Sequence, residues 1–123
     1  LTFEGLDAYG STMGSASVIV MDEDTDMVWA ATKMIHFFHH ESCGKCTPCR
    51  EGTFWMERIL VRIQHGQGTA EDIATLEDVA KQMQGKCLCA LGEFAVSPVL
   101  STIAHFLDEY KAKVSLPEAA PAV

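Results

Sequence analysis

Basic side chains are scarce in this sequence of 123 residues, and so are long apolar runs. Nine lysines and arginines stand against 17 aspartates and glutamates, so the formal net charge is −8. This acidic balance disfavours nucleic acid and anionic membrane surfaces as main partners, because both carry negative charge themselves. No run approaches the roughly 18 consecutive apolar residues that indicate a membrane-crossing helix. We therefore expect no nucleic-acid partner and no direct membrane insertion.

A secretory signal is also missing, since no positively charged segment followed by an apolar run opens the sequence. Leu1 lies inside what reads as a structural element, so we expect the chain to be a piece of a longer protein. Hydrophobic residues make up 48% of the sequence and charged residues 21%, which is typical of a globular domain with one core.

Cysteine is the informative part of the composition. Cys43, Cys46 and Cys49 form a Cys-x-x-Cys-x-x-Cys run, and Cys87 and Cys89 follow well downstream. The odd count, the tight clustering and the missing export signal disfavour a secreted disulfide scaffold. Inert buried thiols would explain a single cysteine but not this run. The spacing therefore predicts a metal or cluster site.

The first 24 residues differ from the rest of the chain. A stretch rich in Gly, Ser and Thr runs to Ser17, and the β-branched segment Val18–Met21 follows it. This pattern predicts a loop and then a strand, closed by the acidic turn Asp22–Asp24. A lone strand is not stable in water, so we expect its partner strands to lie outside this chain.

From Asp26 onward the apolar residues recur with the period of a helix. Four helices are predicted, and together they predict a four-helix bundle over residues 25–114 within a mainly α fold. Their limits are Asp26 to about His40, Pro48 to Gly66, Thr69 (with Asp72 completing a capping box) to Gly85, and Ser97-Pro98 to about Val114. Residues 115–123, which include two prolines, are expected to form a flexible tail.

The predicted helices place the thiols in two connections. Cys43 falls just after the first helix, Cys46 in the tight turn that follows, and Cys49 in the first turn of the second helix. Cys89 falls between the third and fourth helices, at the same end of a bundle. Three ligands from one loop and a fourth from a distant loop are a common way to hold a cubane [4Fe–4S] cluster. Backbone N–H groups of the second helix, with Lys45 and Arg50, would suit its negative charge.

Two other roles are possible for these thiols, a structural zinc site and a catalytic nucleophile. A Cys₄ zinc site would make the chain a zinc-stapled helical interaction module, but structural zinc favours two Cys-x-x-Cys pairs, and here the arrangement is three plus one. Cys87 and Cys89 are separated by a single residue. A catalytic thiol is the other alternative, because Cys49 at a helix N-terminus beside Arg50 would be activated. Three clustered thiols are more than a nucleophile needs.

The segment Glu41-Ser-Cys-Gly-Lys-Cys-Thr-Pro-Cys-Arg-Glu-Gly52, together with Cys89-Ala-Leu-Gly92, resembles the C-terminal part of the NADH-binding flavoprotein subunit of respiratory complex I. Diaphorase subunits of NAD-linked hydrogenases and formate dehydrogenases are close relatives of that family. The resemblance implies that residues 1–24 are the end of a β-grasp (ubiquitin-like) domain. It also implies that residues 25–114 are the bundle that carries the family's cluster.

The resemblance implies a ligand set and a role. Cys43, Cys46 and Cys49 match the family's three-cysteine motif, and Cys89 rather than Cys87 matches its fourth ligand. In the family, NADH reduces FMN, and the [4Fe–4S] cluster takes electrons from the flavin and passes them along an iron–sulfur chain. The implied partners are a thioredoxin-like [2Fe–2S] subunit and a larger multi-cluster subunit. The implied location is the peripheral arm on the cytoplasmic face of the bacterial inner membrane, or on the matrix side in mitochondria.

One departure from the family pattern limits what this chain can do by itself. The family binds FMN and NAD(H) through an N-terminal α/β domain, and its Gly-rich nucleotide loop is missing here. We therefore expect an electron-carrying module, with the NADH:quinone oxidoreductase (NADH dehydrogenase) activity belonging to the full subunit. The alternative within the same class is a diaphorase subunit of a NAD-linked hydrogenase or formate dehydrogenase.

Overall fold

The computed structural model describes residues 2–114, and its regular structure is helical. The helices are α1 (Phe3–Asp7), α2 (Met27–Glu41), α3 (Thr47–Gln64), α4 (Ala70–Met83) and α5 (Ala90–Val114). No strand occurs within residues 2–114. The prediction of a mainly α chain is confirmed, and the predicted tail at 115–123 lies outside the described residues.

The predicted starts of two helices are confirmed by their capping bonds. The Asp26 carboxylate accepts hydrogen bonds from the backbone N–H groups of Val28 and Trp29, both at 3.0 Å, and so caps α2. Thr69 and Asp72 form the expected reciprocal capping box at the start of α4. Each bond satisfies an N–H group that has no partner inside its own helix.

The predicted start of α5 is wrong. The Ser97-Pro98 pair reads locally as a helix N-terminus, yet α5 begins at Ala90 and Pro98 lies inside it. The helix continues because its apolar face is buried on both sides of the proline, with Val96 2% exposed and Val99 fully buried. The helical geometry breaks instead at Phe106, whose φ of −131° and ψ of 31° mark a kink.

The predicted strand Val18–Met21 is also wrong for the described residues. Val18, Ile19 and Val20 are between 65% and 91% exposed and form no ladder. A strand needs hydrogen bonds from a neighbouring strand, and the described part of the chain has none to offer. The short helix α1 falls in the stretch predicted as loop. The predicted turn after the segment is present, since the Thr25 hydroxyl donates to the Asp22 carboxylate at 2.8 Å.

Helices α2 to α5 pack around one core. Each packs against the next along the chain, α5 returns against α2, and α3 meets α5 across the middle. The largest fully buried side chains include Ile35, Met56, Leu60, Leu76 and Tyr110. The Tyr110 hydroxyl is satisfied by Thr102 Oγ1 at 2.8 Å, so this buried phenol has a hydrogen-bond partner.

One end of this arrangement, which we call the far end, is joined by polar contacts between helix termini. The Lys113 ammonium lies 2.7 Å from the Asp26 carboxylate, and Glu109 accepts the Met27 N–H at 2.8 Å. Arg62 near the end of α3 pairs with Asp72 in the first turn of α4. The far end therefore holds α2 to α5 and α3 to α4.

Helix α5 is long and apolar enough to cross a membrane by length and composition alone. This does not distinguish a membrane span from the core helix of a soluble protein, which passes the same test. Val96, Val99 and Ile103 of α5 pack into the shared core, as in a core helix.

Candidate metal centre

All five cysteines lie at the end opposite the far end, which we call the thiol end and define as residues 42–49 and 84–92. Cys43 follows α2 and Cys49 lies in the first turn of α3, as predicted. Cys46, which was predicted in the turn before the helix, is the N-cap residue of α3. Cys87 and Cys89 lie between α4 and α5. The structure therefore brings the two cysteine-bearing connections to one end of the protein.

The first connection, which joins α2 to α3, is held in its conformation by side chains of this region. Gly44 has a φ of +72°, a left-handed conformation that glycine adopts without strain. The Arg50 guanidinium donates to the Gly44 carbonyl at 2.9 Å. The Ser42 hydroxyl accepts the Gly44 N–H at 3.4 Å and lies 3.3 Å from Cys49 Sγ. Arg50, predicted to flank the site, thus also fixes the turn that presents Cys43 and Cys46.

The second connection, which joins α4 to α5, is fixed by Glu93 and by the absence of a side chain at Gly92. The Gly85 N–H donates to the Glu93 carboxylate at 2.7 Å. A Cβ added at Gly92 would lie 2.2 Å from Cys87 Sγ and 3.6 Å from the Cβ of Cys49. Only glycine at position 92 therefore lets Cys87 lie beside Cys49. Glu93 could not be singled out from the sequence, because its contact with Gly85 depends on how α5 begins.

Two backbone N–H groups from different parts of the chain contact the sulfur of Cys46. The N–H of Leu88 donates to it, as does the N–H of Cys49, and these bonds lower the pKa of the Cys46 thiol below its usual value. The Leu88 N–H lies in the connection between α4 and α5, and the Cys49 N–H lies in the first turn of α3. Both would favour a thiolate, which is the form that binds metal.

Cys87 is partly buried, as is Cys46, whereas Cys49 is buried and Cys43 and Cys89 are exposed. Burial, followed by the nearby Cys46 and Cys49 sulfurs, raises the pKa of the Cys87 thiol to about 11. Cys87 was not among the predicted ligands, and the Cys87-x-Cys89 spacing was the only sequence signal that it shares the site.

The donor set fits an iron–sulfur cluster. It consists of thiols on two connections, with N–H groups and Arg50 nearby to offset negative charge. Within residues 2–114, no group of three or more His, Cys, Asp or Glu side chains is arranged to hold one metal ion.

A second polar cluster links α2 to α3 close to the thiol end. The Glu57 carboxylate, 15% exposed, bonds to His36 Nδ1 at 2.5 Å and also to His39 Nδ1. Burial alone would raise the pKa of Glu57, but the hydrogen bonds from His36 and His39 outweigh it, and the net pKa is lowered. A carboxyl with a lowered pKa in the folded state stabilises that state above its ordinary pKa, and this contribution is lost as the pH falls through the folded value.

We expect Glu57→Gln to lower the free energy of unfolding by about 1 kcal/mol at pH 6, because the partly buried carboxylate that bonds to both histidines is lost. The difference should shrink towards pH 3, because the contribution of a carboxyl with a lowered pKa is lost as the pH falls through its folded-state value. Urea unfolding followed by circular dichroism at the two pH values measures this.

Glu41→Gln is the matched control. Glu41 is also bonded to a histidine, His40, at 3.0 Å, but both side chains are about half or more exposed. An exposed pair contributes little, so this change should cost less than about 0.5 kcal/mol at either pH. Equal effects of the two substitutions at pH 6 would contradict the role given to Glu57.

The chain is similar in sequence to curated relatives over most of its length. It is 50% identical over 114 residues to the F subunit of NADH-quinone oxidoreductase of Mycobacterium bovis, covering 93% of this chain and 26% of that protein. It is 44% identical to the mitochondrial NADH-ubiquinone oxidoreductase 51 kDa subunit of Neurospora crassa, covering 93% of this chain and 23% of that protein. The chain thus spans about a quarter of the length of these relatives.

A solved structure is similar to the chain in fold. A chain of the NAD⁺-reducing [NiFe]-hydrogenase in its H₂-reduced state superposes with a TM-score of 0.75 at 34% identity. The match covers 80% of this chain and 17% of the hydrogenase chain. Residues 29–113 match the model of one protein family. The chain therefore belongs to the family described as the NADH-ubiquinone oxidoreductase-F iron-sulfur binding region.

Proposed function

We propose that this chain is the electron-relay module of an NADH-oxidising subunit, with Cys43, Cys46, Cys49 and Cys89 as ligands of one [4Fe–4S] cluster. The observation that carries the proposal is the meeting of both cysteine-bearing connections at the thiol end. In this proposal residues 25–114 form the iron–sulfur four-helix bundle, residues 1–24 the end of a β-grasp domain and residues 115–123 a flexible tail.

When bound, the cluster supplies one-electron redox chemistry. The chain's own residues hold and shield it. Arg50 fixes the turn at Gly44 that presents Cys43 and Cys46, and the N–H groups of Leu88 and Cys49 direct partial positive charge to the Cys46 sulfur. Glu93 fixes the connection that carries Cys89 through its bond to Gly85.

The full subunit would act as an NADH:quinone oxidoreductase. It would bind FMN and NAD(H) through an N-terminal domain that this chain does not contain. The chain would accept electrons from the flavin and pass them to a thioredoxin-like [2Fe–2S] subunit and a larger multi-cluster subunit. The likeness to relatives named as subunits of NADH-quinone and NADH-ubiquinone oxidoreductases supports a multi-subunit assembly. We place it in the peripheral arm, on the cytoplasmic face of the bacterial membrane or the matrix side in mitochondria.

A diaphorase subunit of a NAD-linked hydrogenase is the second candidate, and the hydrogenase structure favours it. That chain is 34% identical to this one, whereas the oxidoreductase F subunit of Mycobacterium bovis is 50% identical. The higher identity supports the complex I proposal. The zinc-stapled module remains the alternative of another class, and metal analysis separates it from both.

The chain purified without oxygen should contain about four iron and four sulfide per chain and less than about 0.1 zinc. It should show a broad visible absorption band that bleaches with dithionite, and a reduced S = 1/2 signal by electron paramagnetic resonance. Iron, sulfide and zinc assays on the same sample measure this. A colourless protein with about one zinc per chain would overturn the proposal in favour of the structural Cys₄ site.

A further inference from the structure

A serine hydroxyl contacts the sulfur of one proposed ligand. Ser42 Oγ lies 3.3 Å from Cys49 Sγ, within hydrogen-bond distance for sulfur. Cys49 is 5% exposed and Ser42 is partly buried, so little water reaches the bond between them. A hydrogen bond shielded from water is electrostatically stronger than one at the surface.

The direction of this bond follows from the proposed ligand role of Cys49. Either atom could donate while Cys49 is a free thiol. A cysteine that binds iron does so as a thiolate and has no proton to give, so Ser42 is then the donor. Its oxygen also accepts the Gly44 N–H at 3.4 Å, which leaves the hydroxyl hydrogen for the sulfur.

The local backbone brings Ser42 to Cys49, although the two residues are seven positions apart. Ser42 is the C-cap of α2, and its extended backbone, with a ψ of 123°, ends that helix. Gly44, with a φ of +72°, allows the tight turn that follows. At the other partner, the buried Thr53 hydroxyl donates to the Cys49 carbonyl at 2.7 Å and holds the first turn of α3. The contact is therefore fixed from both sides.

We propose that the Ser42 hydroxyl donates to the ligand sulfur of Cys49 and raises the reduction potential of the [4Fe–4S] cluster. This inference rests on the proposed function, because it takes Cys49 as a ligand. One-electron reduction adds a negative charge that the cluster shares with its thiolates, and a donor at a ligand sulfur stabilises that charge. Hydrogen bonds to the sulfurs are among the factors that set the potentials of these clusters. Ser42 acts through Cys49 and binds no iron itself.

The test is a redox titration of the anaerobic chain, followed by electron paramagnetic resonance of the reduced cluster. We expect Ser42→Ala to keep about four iron per chain but to lower the equilibrium constant for reduction about tenfold, which is about 59 mV for a one-electron couple. Ser42→Thr should keep the wild-type potential, because threonine also carries a hydroxyl donor and its β-branched side chain suits the extended backbone at this position.

Ser97→Ala is the matched control. Ser97 is an exposed serine of α5 that lies outside the thiol end, so the change removes a hydroxyl of the same kind away from the proposed ligands. The reduction potential of this variant should equal that of the wild type. Iron assays and circular dichroism should give the same iron and helix content in all three variants.

Three results would overturn the inference. An unchanged potential in Ser42→Ala would remove the donor role, and equal lowering in the alanine and threonine variants would mean that Ser42 acts through packing. Loss of iron in Ser42→Ala would make Ser42 a residue needed to form the site. A wild-type chain without a cluster would instead defeat the proposed function, and full iron content in Cys49→Ser would defeat its ligand set, so these failures are distinguishable.

Discussion

Replacing Cys49 by serine is expected to lower the iron content from about four per chain to nearly none. Cys49 is buried in the first turn of α3, and its sulfur is directed toward the site beside Ser42. Iron–sulfur clusters require soft thiolate ligands, and a serine hydroxyl is harder and far less readily deprotonated. Iron and sulfide assays on the anaerobic protein, with the visible spectrum, measure the loss.

Cys87→Ser is the matched control, since it removes a thiol of the same end without removing a proposed ligand. It should keep about four iron per chain. Circular dichroism should show the same helix content in both variants, because serine is slightly smaller than cysteine and fits either position. Full iron content in Cys49→Ser would show that the ligand set lies elsewhere among the five cysteines.

Leu60→Ala is expected to cost about 2–5 kcal/mol of unfolding free energy. Leu60 lies on the inner face of α3 and is fully buried among the residues shared by the four long helices. Truncating it removes apolar contacts and leaves a cavity that its neighbours only partly fill. Urea unfolding of the variant and the wild type under the same conditions measures the difference.

Leu88→Ala provides the same chemical change at an exposed position. Leu88 is 74% exposed, so its truncation should change the free energy of unfolding by less than about 0.5 kcal/mol. Its backbone N–H, which donates to Cys46, is unaffected. If Leu60→Ala cost no more than Leu88→Ala, the core assigned to the four helices would be wrong.

The helix starts at Asp26 and Thr69 could be predicted because capping is local. The residue that accepts the first N–H groups lies within three positions of them, so the sequence window contains the whole interaction. The Ser97-Pro98 prediction failed for the converse reason. What holds α5 through Pro98 is burial of Val96 and Val99 against other helices, and no local window contains those partners.

The site could be predicted in part, because some of its determinants are local in the sequence and others are tertiary contacts. The three-cysteine run and the helix pattern place all the thiols at one end, and the structure agrees. Which of Cys87 and Cys89 faces inward depends on Gly92 and on the contact between Gly85 and Glu93. These are tertiary contacts across the start of α5, where the predicted boundary at Ser97 fell well after the true start at Ala90.

The contacts at the far end bear on how such a protein is made. There the Asp26–Lys113 pair and the bond from Met27 to Glu109 join the first and last of the four long helices through side chains and backbone alone. Local opening can be confined to one part of a protein while the rest stays folded. If the thiol end opens locally, the contacts at the far end, which involve none of the five cysteines, still join α2 to α5. Loading of the proposed cluster into the folded chain would then disturb the thiol end and leave the far end intact.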